Sequence, residues 1–142
     1  MKKLNKIAII GFGSIGRKHL RILKEIRPEI DVTLVRLKNT RSWNEERLSN
    51  RIFKNIDDVV EFGVDAAIIA SPAPFHIKHS IPFVEKKIPV LIEKPISTEL
   101  NDAVKLLKLS NKNKSIILVG YVLRHSKQLS IFEEELSKKI IG

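Results

Sequence analysis

Lys6-Ile-Ala-Ile-Ile-Gly-Phe-Gly-Ser-Ile-Gly-Arg-Lys-His19 is an apolar run that passes directly into glycines at positions 11, 13 and 16 and then into a helical pattern. Each glycine answers a different physical need. Gly11 permits a tight turn, Gly13 permits close approach of a pyrophosphate, and Gly16 permits close packing of the helix on the strand. A helix starting near Ser14 directs unpaired N–H groups and its positive end at an anion, so Gly11, Phe12, Gly13, Ser14, Ile15 and Gly16 are candidate cofactor-binding residues. The competing reading is an ordinary glycine-rich turn. The strand before and the helix after are the context that phosphate binding requires.

The rest of the chain fits one α/β domain. Its 142 residues hold one sizeable core, with 43% hydrophobic and 30% charged residues. Cysteine is absent, which removes disulfides, thiolate metal sites and cysteine nucleophiles, and no metal site is expected. The run Ile7–Ile10 is too short for a signal-peptide core or a membrane span, so a cytoplasmic protein with no membrane partner is the default. Twenty-six Lys and Arg against sixteen Asp and Glu give a formal charge of +10. The basic residues are spread along the chain without a dense run, and one Trp and one Tyr beside six Phe offer few stacking platforms. Nucleic acid is therefore not expected as a partner, while a phosphate-rich cofactor would benefit from the same positive field.

The expected elements alternate. Strands are expected at Lys6–Ile10, Asp31–Leu37, Arg51–Phe53, Asp65–Ala70, Pro89–Ile92 and Ser115–Val122. Helices are expected from Ser14 to Ile26, Ile56 to Phe62, Pro74 or Phe75 to Lys87, Thr98 to Ser110 and Lys127 to Ile141. A short helix capped by Ser42 and Asn44 could lie in the polar stretch between the second and third strands. Continuous apolar strands call for helices on both faces of a parallel, doubly wound sheet, and the expected strand order is 3-2-1-4-5-6.

Three strand ends carry the chemistry. In a dinucleotide fold an acid about 20 residues beyond the last glycine commonly holds the ribose hydroxyls, whereas an arginine accepts a 2′-phosphate. Here the second strand ends in Arg36, Lys38, Asn39, Thr40 and Arg41 without an acid, which favours NADP over NAD, with Arg36 or Arg41 on the phosphate or the adenine. A solvated basic loop is the alternative, with Asn39 able to serve a plain ribose. Further on, Ser71-Pro-Ala-Pro-Phe-His76 turns the chain over the carboxyl edge, because proline cannot extend the ladder. His76 there either touches the cofactor or caps and packs. Glu93-Lys94-Pro95 ends the next strand, where Lys94 is either a solvated stem or an ammonium that meets a substrate hydroxyl. His19 reads as a core-edge histidine satisfied by a backbone carbonyl rather than a metal ligand.

Taken together, Gly11, Gly13, Gly16 and His19, then Ser71, Pro72 and His76, then Glu93-Lys94-Pro95, then Gly120, Tyr121 and Arg124 resemble the oxidoreductase family named for glucose-fructose oxidoreductase and inositol 2-dehydrogenase. The resemblance implies a Rossmann-type cofactor domain over residues 1–125, with Ser71, Pro72, His76 and Arg124 lining the cofactor. It implies that Lys94 acts on the substrate hydroxyl and Glu93 orients it, in a nicotinamide-dependent (NAD or NADP) dehydrogenase of a small sugar- or polyol-like substrate. Val122 departs from the family's usual Asn. Residues 126–142 would lead toward a second domain that supplies most of the substrate pocket and a homo-oligomer interface, so the 142-residue chain alone is expected to bind cofactor with little turnover. A non-catalytic dinucleotide-binding or regulatory module is the alternative reading.

Overall fold

A computed structural model of the chain describes residues 3–36 and 42–138. Six parallel strands, β1 (Lys6–Ile10), β2 (Asp31–Val35), β3 (Arg51–Phe53), β4 (Ala66–Ile69), β5 (Val90–Ile92) and β6 (Ile117–Val119), form one sheet in the order β3-β2-β1-β4-β5-β6. This is the doubly wound order expected of the sequence. Among the described residues, helices α1 (Ser14–Ile26), α2 (Ile56–Phe62), α3 (His76–Glu85) and α4 (Leu100–Asn113) lie between successive strands, and α5 (Lys127–Ser137) follows β6.

The strands bury both faces, and the two-residue period of each strand sorts its side chains between two cores. Ala8 and Ile10 of β1 join Ala67, Ile69, Val90 and Ile92 against Val59 of α2, Ile77, Phe83 and Val84 of α3 and Leu106 of α4. Ile7 and Ile9 point the other way, with Val32, Leu34 and Ile68, onto Leu20 of α1. Phe12, 9% exposed, joins this second core, so its side chain packs beneath the glycine turn.

Several ends differ from expectation for local reasons. The polar stretch after β2 forms a 3-10 turn, Asn44–Leu48, whose box is closed by Trp43 and Glu46 instead of by Ser42 or Asn44: the Trp43 N–H donates to Glu46 Oε1 at 2.9 Å, and the Glu46 N–H to the Trp43 carbonyl at 3.0 Å. Pro74 falls in a 3-10 turn, Ala73–Phe75, and α3 begins at His76. The Ser97 hydroxyl accepts the Glu99 N–H at 3.0 Å, which delays α4 to Leu100, and Lys114 in the left-handed region closes that helix beyond Ser110. Strands β4, β5 and β6 are shorter than expected, although the Asp65 and Ala70 N–H groups still donate to the Lys6 and Ile10 carbonyls of β1, and Pro89, which has no N–H, precedes β5 and accepts from Ala67. The expected ends of β2 at Leu37 and of α5 at Ile141, and the candidate Arg41, lie outside the described residues.

The sheet is covered unevenly. Ile116 and Leu118 at β6 are 59% and 60% exposed, and the following Tyr121, Val122 and Leu123 are also exposed. Helix α5 stands beside them with Leu129, Ile131 and Phe132 about half exposed.

Candidate functional site

The carboxyl edge of the sheet gathers the sequence-selected residues in a line set by the strand order. At its centre Gly11 leaves β1 with φ +92°, and a Cβ there would lie 2.7 Å from the Ser71 backbone. Gly16 is equally constrained, since a Cβ would meet the Gly11 carbonyl oxygen at 2.2 Å. The helix therefore rests directly on the turn. Gly13 is different: it occupies the N-cap of α1 with nothing within 4 Å of an added Cβ. No side chain caps this helix and no acid lies in its first turn, while Ser14 and Ile15 are exposed. Open space, uncapped N–H groups and a positive helix end fit a pyrophosphate group.

Next along the edge is the segment after β4. Ser71 is buried, and its hydroxyl lies 2.9 Å from His79 Nδ1. Its carbonyl oxygen lies 2.7 Å from His76 Nε2, and the Pro95 carbonyl oxygen lies 2.8 Å from His76 Nδ1. With 2% exposure and both ring nitrogens on backbone oxygens, His76 braces two loops of the edge against each other. His79 stacks on the half-exposed Phe75 ring. Burial holds the His79 imidazole below its ordinary value, and the positive Lys78 and nearby His76 push it further the same way. Pro72 is exposed at the surface of this segment.

Beyond β5, Lys94 is exposed and linked to Pro95 by a cis peptide. Glu93 turns toward α1, where its Oε1 lies 2.7 Å from His19 Nε2. The partner of His19 is therefore a carboxylate, in place of the backbone carbonyl expected of it. Gly120 faces the same carboxylate, and a Cβ there would come within 3.3 Å of Glu93 Cδ and both its oxygens. Arg124 sits past β6 in the 3-10 turn Val122–His125, exposed, with its guanidinium 6.0 Å from the Tyr121 ring centre.

On the other flank, Arg36 follows β2 and its Nη1 donates to Glu46 Oε1 at 2.6 Å. Arg17, in the first turns of α1, lies 3.9 Å above the Trp43 ring and donates to Glu45 at 3.2 Å. Sequence reasoning missed Arg17, Trp43, Glu45 and Glu46 as members of this edge. Trp43 carries no side-chain acceptor for a capping box, so its backbone pairing with Glu46 left no signal of that kind in the sequence. Among the described residues no group of His, Cys, Asp and Glu could hold a metal ion, and no helix is long and apolar enough to cross a membrane.

Residues 5–121 match the family model described as an oxidoreductase family with an NAD-binding Rossmann fold. The chain belongs to the Gfo/Idh/MocA oxidoreductase family. Its relatives include myo-inositol 2-dehydrogenase of Thermotoga maritima, 27% identical over 140 residues that cover 96% of this chain and 42% of that protein. Glucose-6-phosphate 3-dehydrogenase of Bacillus subtilis is 25% identical over 98% of this chain and 40% of that protein. The chain thus spans less than half the length of these relatives. The scyllo-inositol dehydrogenase of Lactobacillus casei, whose crystal structure holds NAD(H) and scyllo-inositol, shares the fold with a TM-score of 0.83. That likeness covers 99% of this chain and 43% of the other at 22% identity.

Proposed function

We propose that this chain is the cofactor-binding part of a nicotinamide-dependent dehydrogenase that oxidises or reduces a secondary alcohol on a polyol or sugar. The observation that carries this reading is the shared edge: an uncapped helix N-terminus beside Gly13 and the exposed Lys94 stand at the ends of β1 and β5, separated by β4 alone. The nicotinamide ring, when bound, supplies the hydride chemistry.

The chain's own residues do the rest. The Gly11–Gly16 turn and the first N–H groups of α1 hold the pyrophosphate. The buried Ser71 and the exposed Pro72 shape the wall between that turn and Lys94, and His76 fixes this wall to Pro95. The Lys94 ammonium donates to the substrate hydroxyl, steadies negative charge on its oxygen and takes part in moving its proton. Glu93, held by His19, fixes the backbone from which Lys94 projects. Arg124 lies furthest along the edge, where a contact with the cofactor or substrate comes from beyond β6.

The test has two stages. Residues 1–142 are titrated with NADH, followed by energy transfer from Trp43, the chain's one tryptophan; binding is expected, with little turnover by this polypeptide. The product of the whole reading frame is then assayed for NADH or NADPH formation with a panel of inositols and sugars. Lys94→Ala is expected to preserve NADH binding and abolish turnover. Binding without turnover of any panel member by the whole product would favour a non-catalytic dinucleotide module, and failure to bind either cofactor would remove the reading altogether.

A further inference from the structure

We infer that the Arg36–Glu46 ion pair makes Glu46 the selector of the cofactor's ribose, and that it selects the unphosphorylated form, NAD over NADP. This rests on the dinucleotide reading given above. Arg36 occupies the position about 20 residues beyond Gly16 at which the fold chooses between a ribose diol and a 2′-phosphate. From the sequence around β2 it looks like a phosphate clamp. In the folded chain its guanidinium already meets a carboxylate at 2.6 Å, with the two side chains only 13% and 15% exposed.

Glu46 is not a carboxylate that a phosphate could easily push aside. Its Oε1 also accepts the Trp43 N–H, and its own N–H returns to the Trp43 carbonyl, so its position is part of how the 3-10 turn closes. That turn is fastened to α1 as well. The Trp43 ring stacks under Arg17, whose backbone N–H donates to Gly13, and Glu45 takes both Arg17 and Arg21, at 3.2 and 3.4 Å. Among the described residues, the guanidiniums of Arg17, Arg21 and Arg36 are thus each matched to Glu45 or Glu46.

The consequence for a ligand follows from charge. A 2′-phosphate carries about −1.5 to −2, and here it would approach a fixed carboxylate and an arginine whose charge that carboxylate already offsets. Ribose hydroxyls, by contrast, are donors. Glu46 Oε2 takes part in neither the Arg36 nor the Trp43 bond and can accept from them. A carboxylate thus stands at the end of β2 after all, delivered from the 3-10 turn rather than from the strand.

The experiment is a paired titration of residues 1–142 with NAD and NADP, read by Trp43 emission and by calorimetry, for the wild type, Glu46→Gln and Arg36→Ala. The wild type is expected to bind NAD at least about tenfold more tightly than NADP, given what a like-charge contact costs. Glu46→Gln keeps an acceptor for the Trp43 N–H while removing the charge, and should narrow that ratio by about tenfold, mostly by improving NADP. Thermal melts of each variant separate lost folding from lost selection. A wild type that prefers NADP or treats both alike overturns the inference, as does a ratio unmoved by Glu46→Gln in a folded variant. Loss of NADP binding in Arg36→Ala with a wild type that prefers NADP would instead establish the clamp. If neither cofactor binds, it is the dinucleotide reading that fails.

Discussion

His19 Nε2 lies 2.7 Å from Glu93 Oε1, joining the helix that follows the glycine turn to the end of β5, 74 residues away in the chain. The contact is partly buried, with side-chain exposures of 20% and 14%, and Gly120 leaves room for the carboxylate on its other side. Replacing His19 with leucine keeps bulk but strips Glu93 of this donor. We expect a loss of about 1–3 kcal/mol, the range for an abandoned polar partner in a partly desolvated place. His19→Gln, which retains an N–H donor, should recover most of it. Chemical denaturation of the three proteins checks the order, and equal stability of the leucine and glutamine variants would refute it.

The glycines of the turn separate folding from binding. Gly16→Ala forces a methyl group against the Gly11 carbonyl oxygen at 2.2 Å, so α1 must lift from the turn, at a cost of about 3 kcal/mol or more. Gly13→Ala meets nothing within 4 Å and has a negative φ, so stability should change by less than about 0.5 kcal/mol. Its methyl group instead takes the space offered to the pyrophosphate. NADH affinity should fall by at least about tenfold, a change of about 1.4 kcal/mol. A melting curve and a titration on each variant read the two effects separately.

His79 gives the fold a pH dependence of known sign. Its imidazole is buried beside Ser71, with Lys78 and His76 near, and it is held below its ordinary value. The unfolded chain therefore takes up this proton at a higher pH than the native one. Stability from this group is complete above the ordinary imidazole value of about 6.5 and declines as pH falls toward the lowered native value. Urea unfolding at a series of pH values from about 7.5 downward should show this slope. His79→Gln, which keeps a polar group near Ser71 Oγ without an imidazole to charge, should flatten it.

The fold was legible because its signals are local. Short apolar runs mark β1, β4 and β5, ended by Gly11, by Ser71-Pro72 and by Glu93-Lys94-Pro95, and alternation with helices leaves the doubly wound order as the expectation. The partners within the edge were not legible. Glu46 is 10 residues past Arg36 in a polar stretch with no period, and only the closing of the 3-10 turn brings its carboxylate to the end of β2. Glu93 reads as the neighbour of Lys94, yet strand geometry turns it toward His19. In a parallel sheet, residues at one edge come from ends of strands far apart in the chain, so pairing depends on strand order and side-chain direction together.

His76 shows the same dependence and yields the most direct test of how the edge is held. Both ring nitrogens face backbone oxygens, Ser71 at 2.7 Å and Pro95 at 2.8 Å, so one side chain ties the segment after β4 to the turn that carries Lys94. A neutral ring carries one N–H and donates to one of them; a doubly protonated ring donates to both. His76→Ala removes the brace and leaves the carbonyl of the buried Ser71 without this donor, which should cost about 1–3 kcal/mol for that group alone. Because the Lys94 turn loses its fastening, amide exchange at Glu93, Lys94 and Ile96 should speed up more than exchange in β1 or α1. His76→Gln can restore one of the two bonds and should fall between alanine and the wild type. Uniform acceleration of exchange across the whole sheet would show His76 to be a general core residue, with no particular hold on Lys94.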